Sequence, residues 1–273
     1  MNPNPKTIAK NYGFEPNKRF GQNFLIDKLA VKKIVATASL KPKDIVLEIG
    51  PGLGVLTKEL AKEAKKVVAV EKDSNLVKVL DKELELNNVE IIQGDILKIL
   101  DQRIIRPRTY KVVSNLPFYL TAPLIRKFLE NEENRPSKMI LVVQKEVAQR
   151  ICAKPPNMNL LAVSVQLYAN PKIICYISKK AFWPRPKVDS AVIKITSKGK
   201  QTAVDRRLFF KIVKAGFRQP GKQLLNNLSK VLGADKIKTG IWLRENNIRP
   251  NQRAKNLKVK QWINLTKKQN GFF

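Results

Sequence analysis

Four consecutive residues, Asn115, Leu116, Pro117 and Phe118, end the apolar run that starts at Tyr110 and precede a helix-length stretch. Asn and Pro are common turn residues and an aromatic ring can simply enter a core, so the tetrapeptide alone reads equally well as a turn. Its neighbours add to it. Gly50, Gly52 and Gly54 stand in GxGxG spacing where the run VLEI gives way to another helix-length segment. Glycines there let the backbone approach a ligand beside a helix N-terminus, although a glycine turn between strand and helix is common on any account. Glu71 ends a second apolar run about 20 residues past the glycines, where an acidic side chain can bind ribose hydroxyls; a surface carboxylate is the plainer alternative. Asp95 ends a third run. In an open parallel sheet, polar residues at the C-terminal ends of successive strands converge on one crevice.

The spacing differs from the GxGxxG of dinucleotide oxidoreductases, and Asn-Leu-Pro-Phe has no role in hydride transfer. It suits alkylation of an exocyclic amine. The lone pair of adenine N6 is delocalised into the ring, so the nitrogen must be drawn towards tetrahedral geometry before it can attack a sulfonium methyl. Asn115 Oδ1 and the Leu116 carbonyl supply two acceptors for its N–H groups, and Pro117 adds no competing donor and stiffens the turn. Phe118 offers a face for the base and for developing positive charge.

These residues need a scaffold that brings strand ends together. Apolar runs at Asp44–Gly50, Lys66–Asp73, Val89–Asp95, Tyr110–Pro117 and Lys138–Gln144, with amphipathic stretches between most of them, predict a parallel α/β sheet. Two further runs, Lys172–Ser178 and Ser190–Thr196, follow a helical stretch at about residues 157–169 and are joined by AFWPRPKVD; they predict an antiparallel addition to the sheet. After residue 200 only helical patterns remain. The expected architecture is a catalytic domain over residues 1–200, with a basic N-terminal arm over 1–26, followed by a basic all-helical domain over 201–273.

Composition narrows the partners. The chain of 273 residues carries 53 Lys and Arg against 22 Asp and Glu, a formal net charge of +31. Charge on that scale points to a polyanion, and nucleic acid fits better than a membrane surface because no helix shows clean basic and apolar faces. The longest apolar runs are too short to span a bilayer and the first residues lack a secretory core, so a soluble, cytoplasmic protein is expected. There is no histidine. That removes Ser-His and Cys-His catalysis and the commonest transition-metal ligand, and no metal is expected. Cys152 and Cys175 lack CxxC spacing and are expected to pack as small buried residues.

The ordered motifs KRFGQNFLID (18–27), VLEIGPGLGVLT (46–57), VEKD (70–73), GDIL (94–97), NLPF (115–118), QKEVAQRI (144–151) and FWPRPKVDSAVI (182–193) closely resemble those of the small-subunit (16S) ribosomal RNA adenine N6,N6-dimethyltransferases, the kasugamycin-sensitivity family. LLNNL (224–228) and RAKNLKVKQWINL (253–265) extend the similarity almost to the C-terminus. The resemblance implies a Rossmann-like class I S-adenosylmethionine methyltransferase sheet with a small C-terminal all-helical domain. It also implies dimethylation of two adjacent adenosines in a hairpin near the 3′ end of small-subunit rRNA, on rRNA or the assembling 30S particle; a monomer is the simplest expectation for its oligomeric state. By the same resemblance, Asn23, Leu25 and Gly50 would contact S-adenosylmethionine around its methionine end, and Gly52 would shape the loop. Glu71 would hold the ribose hydroxyls, Asp95 the cofactor adenine amine, and Asn115 would face both methyl group and target. Phe182 would be a second aromatic wall opposite Phe118, although a core aromatic beside two turn prolines is the plainer reading. The arm around KRFGQNF is expected to order over cofactor and RNA.

The chain departs from the family pattern in three places. Phe118 stands where most members carry tyrosine, AKPPNMNLLAVSVQ replaces the usual stretch after QKEVAQRI, and RQPGKQ replaces an arginine-rich segment. A large-subunit rRNA adenine methyltransferase of the macrolide-resistance type shares the QNF and NLPF-like motifs, but FWPRPKVDSAVI and the C-terminal ending argue against it. A non-catalytic RNA-binding assembly factor could use the same scaffold, and the presence of Glu71, Asp95 and Asn115 weighs against it.

Overall fold

The computed structural model describes residues 4–17, 20–100, 105, 110–132, 135–198 and 204–268. Continuous apolar runs form strands covered on both faces, as in parallel sheets with helices on either side. β1 is Phe24–Leu25, β2 Ile45–Ile49, β3 Lys66–Glu71, β4 Val89–Gln93 and β5 Tyr110–Asn115; β6 is Lys138–Gln144, β7 Ala169–Ile177, β8 Phe182–Trp183 and β9 Ser190–Ser197. A seven-stranded sheet has the order β4-β3-β2-β5-β6-β9-β7. Strands β2 to β6 run parallel, whereas β9 pairs antiparallel with both β6 and β7. The predicted antiparallel addition is present, with β9 inserted between β6 and the edge strand β7. The chain steps outward from β2 through β3 to β4 and then returns to β5 on the other side of β2. That reversal opens a crevice beyond the C-terminal ends of β2 and β5, the usual ligand position in such sheets.

The helices of this part are α1 Pro5–Asn11, α2 Lys28–Ala38, α3 Val55–Glu63, α4 Ser74–Glu83, α5 Ile96–Ile99, α6 Thr121–Glu130 and α7 Lys145–Ile151. Acidic residues are few in this basic chain, and several cap helices. The carboxylates of Asp27, Asp73 and Asp95 accept backbone N–H bonds at the starts of α2, α4 and α5. A carboxylate there satisfies orphan donors and complements the positive end of the helix.

The remaining helices are α8 Leu160–Tyr168, α9 Arg206–Gly216, α10 Leu224–Leu232, α11 Lys236–Glu245 and α12 Val259–Lys267. Two compact units emerge, one of residues 1–148 and 169–197, the other of 149–168 and 198–273. This differs from a single cut at residue 200, because 149–168 belong with the C-terminal helices. The reason lies in side-chain packing. Tyr168 on α8 is buried and its ring stacks on Phe210 of α9 at 6.4 Å, and the Met158 N–H donates to the Lys255 carbonyl. In the same unit Trp262 is fully buried and lies against Phe217, and the Asn227 side-chain amide donates to the Gly216 and Gln219 carbonyls, closing the turn between α9 and α10. The LLNNL and QWINL motifs are thus structural.

Cys152 and Cys175 are half-buried and form no disulfide, a less complete burial than expected. Among the described residues no helix is long and apolar enough to cross a membrane, and no group of three or more His, Cys, Asp or Glu could hold a metal ion.

Candidate active site

A cleft opens at the C-terminal ends of β2, β3 and β5. The expected residues Asn23, Gly50, Gly52, Glu71, Asp95, Asn115, Leu116, Pro117 and Phe118 all line it. Phe20, Gln22, Phe24, Lys72 and Tyr119 line it as well, and sequence reasoning did not single them out.

The glycine loop is bare backbone for a physical reason. Gly50 and Gly52 have φ of +64° and +60°, and a Cβ on Gly52 would meet the Phe24 ring at 2.8 Å. Beyond the loop, Gly54 caps α3 with φ of 74°. A loop of this kind presents N–H groups beside a helix N-terminus.

Glu71, only 6% exposed, ends β3. Its carboxylate accepts from the N–H groups of Gly52 at 3.2 Å, Lys72 at 2.9 Å and Asp73 at 3.0 Å. Burial raises its pKa, and the three N–H bonds work against that shift. Asp95 caps α5 through the Leu97 N–H and pairs with the Lys72 ammonium at 3.0 Å. Burial alone would raise the Asp95 carboxyl, but these contacts outweigh it and hold it below its ordinary value. Two carboxylates thus face one cleft of a chain whose net charge is strongly positive. They suit ribose hydroxyls, an exocyclic amine and a cationic ligand.

Asn115 and Asn23 are locked together. The Asn115 Nδ2 donates to the Asn23 carbonyl at 2.8 Å, which directs Oδ1 to act as the acceptor at the cleft. The Ser114 hydroxyl donates to the Ile49 carbonyl and ties the end of β5 to β2. Pro117 leads into a 3-10 turn over Phe118–Leu120, which places Phe118 and Tyr119 at the cleft wall. The arm itself packs here. Gln22 accepts from the Asn17 N–H and donates to Asp73 at 2.8 Å. Lys18 and Arg19 lie outside the described residues.

Two expected site residues sit elsewhere. Phe182 is 3% exposed and Leu25 5%, and neither lines the cleft. β8 pairs antiparallel with β1 so that Phe182 opposes Leu25 and Trp183 opposes Phe24. Alternation then sends Phe182 and Leu25 into a core with Val31, Ile34 and Val192, while Phe24 and Trp183 take the other side with Leu53 and Leu76. Phe182 therefore does not serve as an open aromatic wall in this structure.

The sequence reading also passed over Glu48, inside the quoted LEIG motif. It is 1% exposed on β2, its Oε2 has no hydrogen bond, and burial pushes its carboxyl up to about 8 from an ordinary 4.5. The signal was a carboxylate inside a wholly apolar run. The folded state therefore holds a proton that the unfolded chain releases between about pH 4.5 and 8, so stability falls as pH rises through that window. With no histidine to titrate there, Glu48→Gln is expected to flatten much of the slope and to stabilise the protein at pH 8, by on the order of a few kcal/mol. Glu71, shifted in the same sense, keeps the slope from vanishing. Urea unfolding at a series of pH values measures both effects.

In the C-terminal unit, Arg218, Lys222, Lys230 and Lys236 surround a shallow concavity together with Gln219, Asn226 and Asn227. Basic donors on a concave surface suit phosphate oxygens, whereas the Asn227 amide is already engaged by the Gly216 and Gln219 carbonyls.

With this geometry in place, known proteins can be compared. The model of the ribosomal RNA adenine dimethylase family matches residues 13–270. A protein of Dehalococcoides mccartyi named ribosomal RNA small subunit methyltransferase A is 41% identical over 266 residues, covering 95% of this chain and 90% of that protein. One of the same name from Clostridium botulinum is 39% identical over 269 residues, covering 96% and 97%. The crystal structure of a dimethyladenosine transferase from Plasmodium falciparum superposes with a TM-score of 0.77 at 26% identity, covering 92% of this chain and all of that one. The sheet is that of the class I S-adenosylmethionine methyltransferases, and the glycine cradle with its two carboxylates fits that cofactor. The chain belongs to the ribosomal RNA adenine dimethylase family.

Proposed function

We propose that this protein transfers methyl groups from S-adenosylmethionine to N6 of two adjacent adenosines in a hairpin loop near the 3′ end of small-subunit rRNA. In this reading it acts in the cytoplasm as a monomer on the assembling particle, and each adenosine ends as N6,N6-dimethyladenosine. The observation that carries the reading is the Asn115 amide, held by the Asn23 carbonyl with its oxygen left to accept at the cleft. Membership of the family supports the choice of RNA.

S-adenosylmethionine, when bound, supplies a methyl group on a positively charged sulfur. Gly50 and Asn23 would hold its methionine end, with Gly52 shaping the loop, while Glu71 would hold its ribose hydroxyls and Asp95 its adenine amine. Asn115 Oδ1 and the Leu116 carbonyl accept from the two N–H groups of the target adenine and turn its nitrogen lone pair towards the methyl. Pro117 offers no N–H that could compete for those acceptors. Phe118 stacks on the extruded base; a loop adenosine is easier to extrude than one inside a duplex. The proton lost from N6 passes to water, because the methylated nitrogen is cationic and acidic, so no general base is needed. After the first transfer one N–H remains, and a single acceptor suffices for the second. The concavity around Lys222 and Lys230 holds RNA through phosphates.

The stacking role makes a separate prediction. Phe118→Tyr keeps the ring and is expected to retain activity, whereas Phe118→Ala is expected to lose about 10- to 100-fold in kcat/KM for RNA. Equal rates for all three proteins would remove Phe118 from the site.

The deciding experiment incubates the protein with S-adenosylmethionine and unmethylated small-subunit particles, then quantifies methylated adenosines by nucleoside mass spectrometry, with large-subunit RNA in parallel. Dimethyladenosine from the small subunit alone is expected. Product from large-subunit RNA only, or cofactor binding without any product, would overturn the assignment.

A further inference from the structure

The sheet carries an aromatic residue that the reaction as described does not use. Tyr176 on the edge strand β7 is 54% exposed, and the Lys145 ammonium at the start of α7 lies 5.3 Å from its ring centroid. Its place is fixed by the ladder. Asn115 pairs with Val142, Val142 with Val192 and Val192 with Cys175, so the catalytic amide and Cys175 sit at one level of the sheet. Tyr176 is the next residue towards the cleft end, and by alternation its ring leaves the sheet on the face opposite the Cys175 and Asn115 side chains. Three ladder steps separate the two strands, about 14 Å at ordinary strand spacing. The surroundings are cationic. Residues 170–190 contain five Lys and Arg and one acid, Asp189, which is already engaged by the Lys179 N–H. Lys180, Arg185 and Lys187 are exposed.

An exposed ring beside an ammonium, one row of the sheet beyond the catalytic amide and among basic side chains, matches single-stranded RNA, in which bases stack on aromatic faces and phosphates are neutralised alongside. We propose that Tyr176, steadied by Lys145, stacks on an unpaired nucleotide that neighbours the target adenosine in the loop, and so positions the RNA strand across the cleft. The inference rests on the RNA methyltransferase reading. The target base itself is taken by Phe118 and Asn115. The distance along the sheet assigns Tyr176 to a different nucleotide, and its ring has no role in holding cofactor.

The test uses the full chain and a hairpin RNA with the loop sequence of the small-subunit substrate, together with a set in which each loop nucleotide in turn is made abasic. Tyr176→Ala is expected to bind the intact hairpin about tenfold more weakly, while Tyr176→Phe binds as wild type. Cofactor affinity and the unfolding midpoint are expected to be unchanged. At one abasic position, not the target, wild type and Tyr176→Ala should become equal. A Tyr176→Ala protein that binds intact RNA as wild type does, or that keeps its deficit at every abasic position, overturns the proposal. So does a lowered unfolding midpoint with unchanged RNA affinity, which would assign the Lys145–Tyr176 contact to protecting the sheet edge. Absence of any small-subunit methylation by the wild type would remove the underlying function, whereas normal turnover with an indifferent Tyr176→Ala removes only this site.

Discussion

Asn115→Ala is expected to lower kcat by at least about 100-fold, the scale seen when one positioned hydrogen-bond partner of a reacting group is removed. Its affinity for S-adenosylmethionine should stay within a few-fold of wild type. The argument is geometric. The Asn115 amide is split between two tasks, with Nδ2 donating to the Asn23 carbonyl and Oδ1 left for the target N–H. Alanine removes the acceptor, whereas the cofactor contacts of Glu71, Asp95 and the glycine loop remain. Asn115→Asp sharpens the test. It keeps an acceptor but sets a carboxylate against the Asn23 carbonyl, so it should also lose activity and should loosen the arm. Single-turnover methylation with saturating cofactor, together with cofactor titration, measures both quantities. Wild-type turnover in the alanine variant would remove Asn115 from the mechanism.

The second large effect falls on binding. Glu71→Gln is expected to weaken cofactor affinity by about 100-fold, because bonds from ribose hydroxyls to a charged acceptor are replaced by bonds to a neutral amide. Turnover at saturating cofactor should stay near wild type. Glu71 uses both oxygens on backbone N–H groups of Gly52, Lys72 and Asp73. A glutamine oxygen can keep the bonds from Lys72 and Asp73, but its NH2 group faces the Gly52 N–H, donor against donor. A modest loss of stability should accompany the loss of affinity, since a buried donor left without an acceptor carries a desolvation cost. Calorimetric titration and unfolding separate the two. The two variants thus show opposite patterns, kcat lost with binding kept at Asn115 and binding lost with kcat kept at Glu71. An unchanged cofactor affinity in Glu71→Gln would exclude the ribose assignment.

Much of the architecture could be read from local pattern. The runs at 45–49, 66–71, 110–115 and 138–144 are largely apolar because both faces of an inner parallel strand are covered, the edge run at 89–93 less so, and each appears as a strand within a residue or two of its expected ends. The GxGxG segment was equally legible, since positive φ at successive positions is a property of glycine itself. Helices α9, α10 and α12 follow from amphipathic spacing, whereas α11 leaves Ile237 and Ile241 exposed and shows no such stripe; Asp205 and Asp235 cap α9 and α11 as short polar residues do elsewhere.

Other features resisted such reading because they depend on which partner an element meets. The stretch 149–168 looked like part of the catalytic domain by its place in the chain, yet Tyr168 and Met158 find their partners on residues 210 and 255. The family resemblance made Phe182 an aromatic wall, against the plainer reading of a core ring beside two turn prolines. Its orientation was settled by pairing with Leu25, far away in sequence, and a shift of one residue in that register would have exchanged it with Trp183, on the side of Leu53 and Leu76. Glu48 carried a visible anomaly, an acid in an apolar strand, but only burial between neighbouring strands raises its pKa.

The division between the two kinds of information is therefore a matter of range. Residue order alone determined the strands and helices, the glycine loop, the polar residues at strand ends, the basic character and the absence of histidine chemistry. These follow from backbone preference, periodicity and charge, which act over a few residues. Only the tertiary structure decided which face each residue of β8 shows, which unit α8 joins, how the Asn115 amide is oriented and where Tyr176 stands relative to the cleft. Each of those depends on a pairing or packing contact between segments distant in the chain, and contacts of that kind have no local signature.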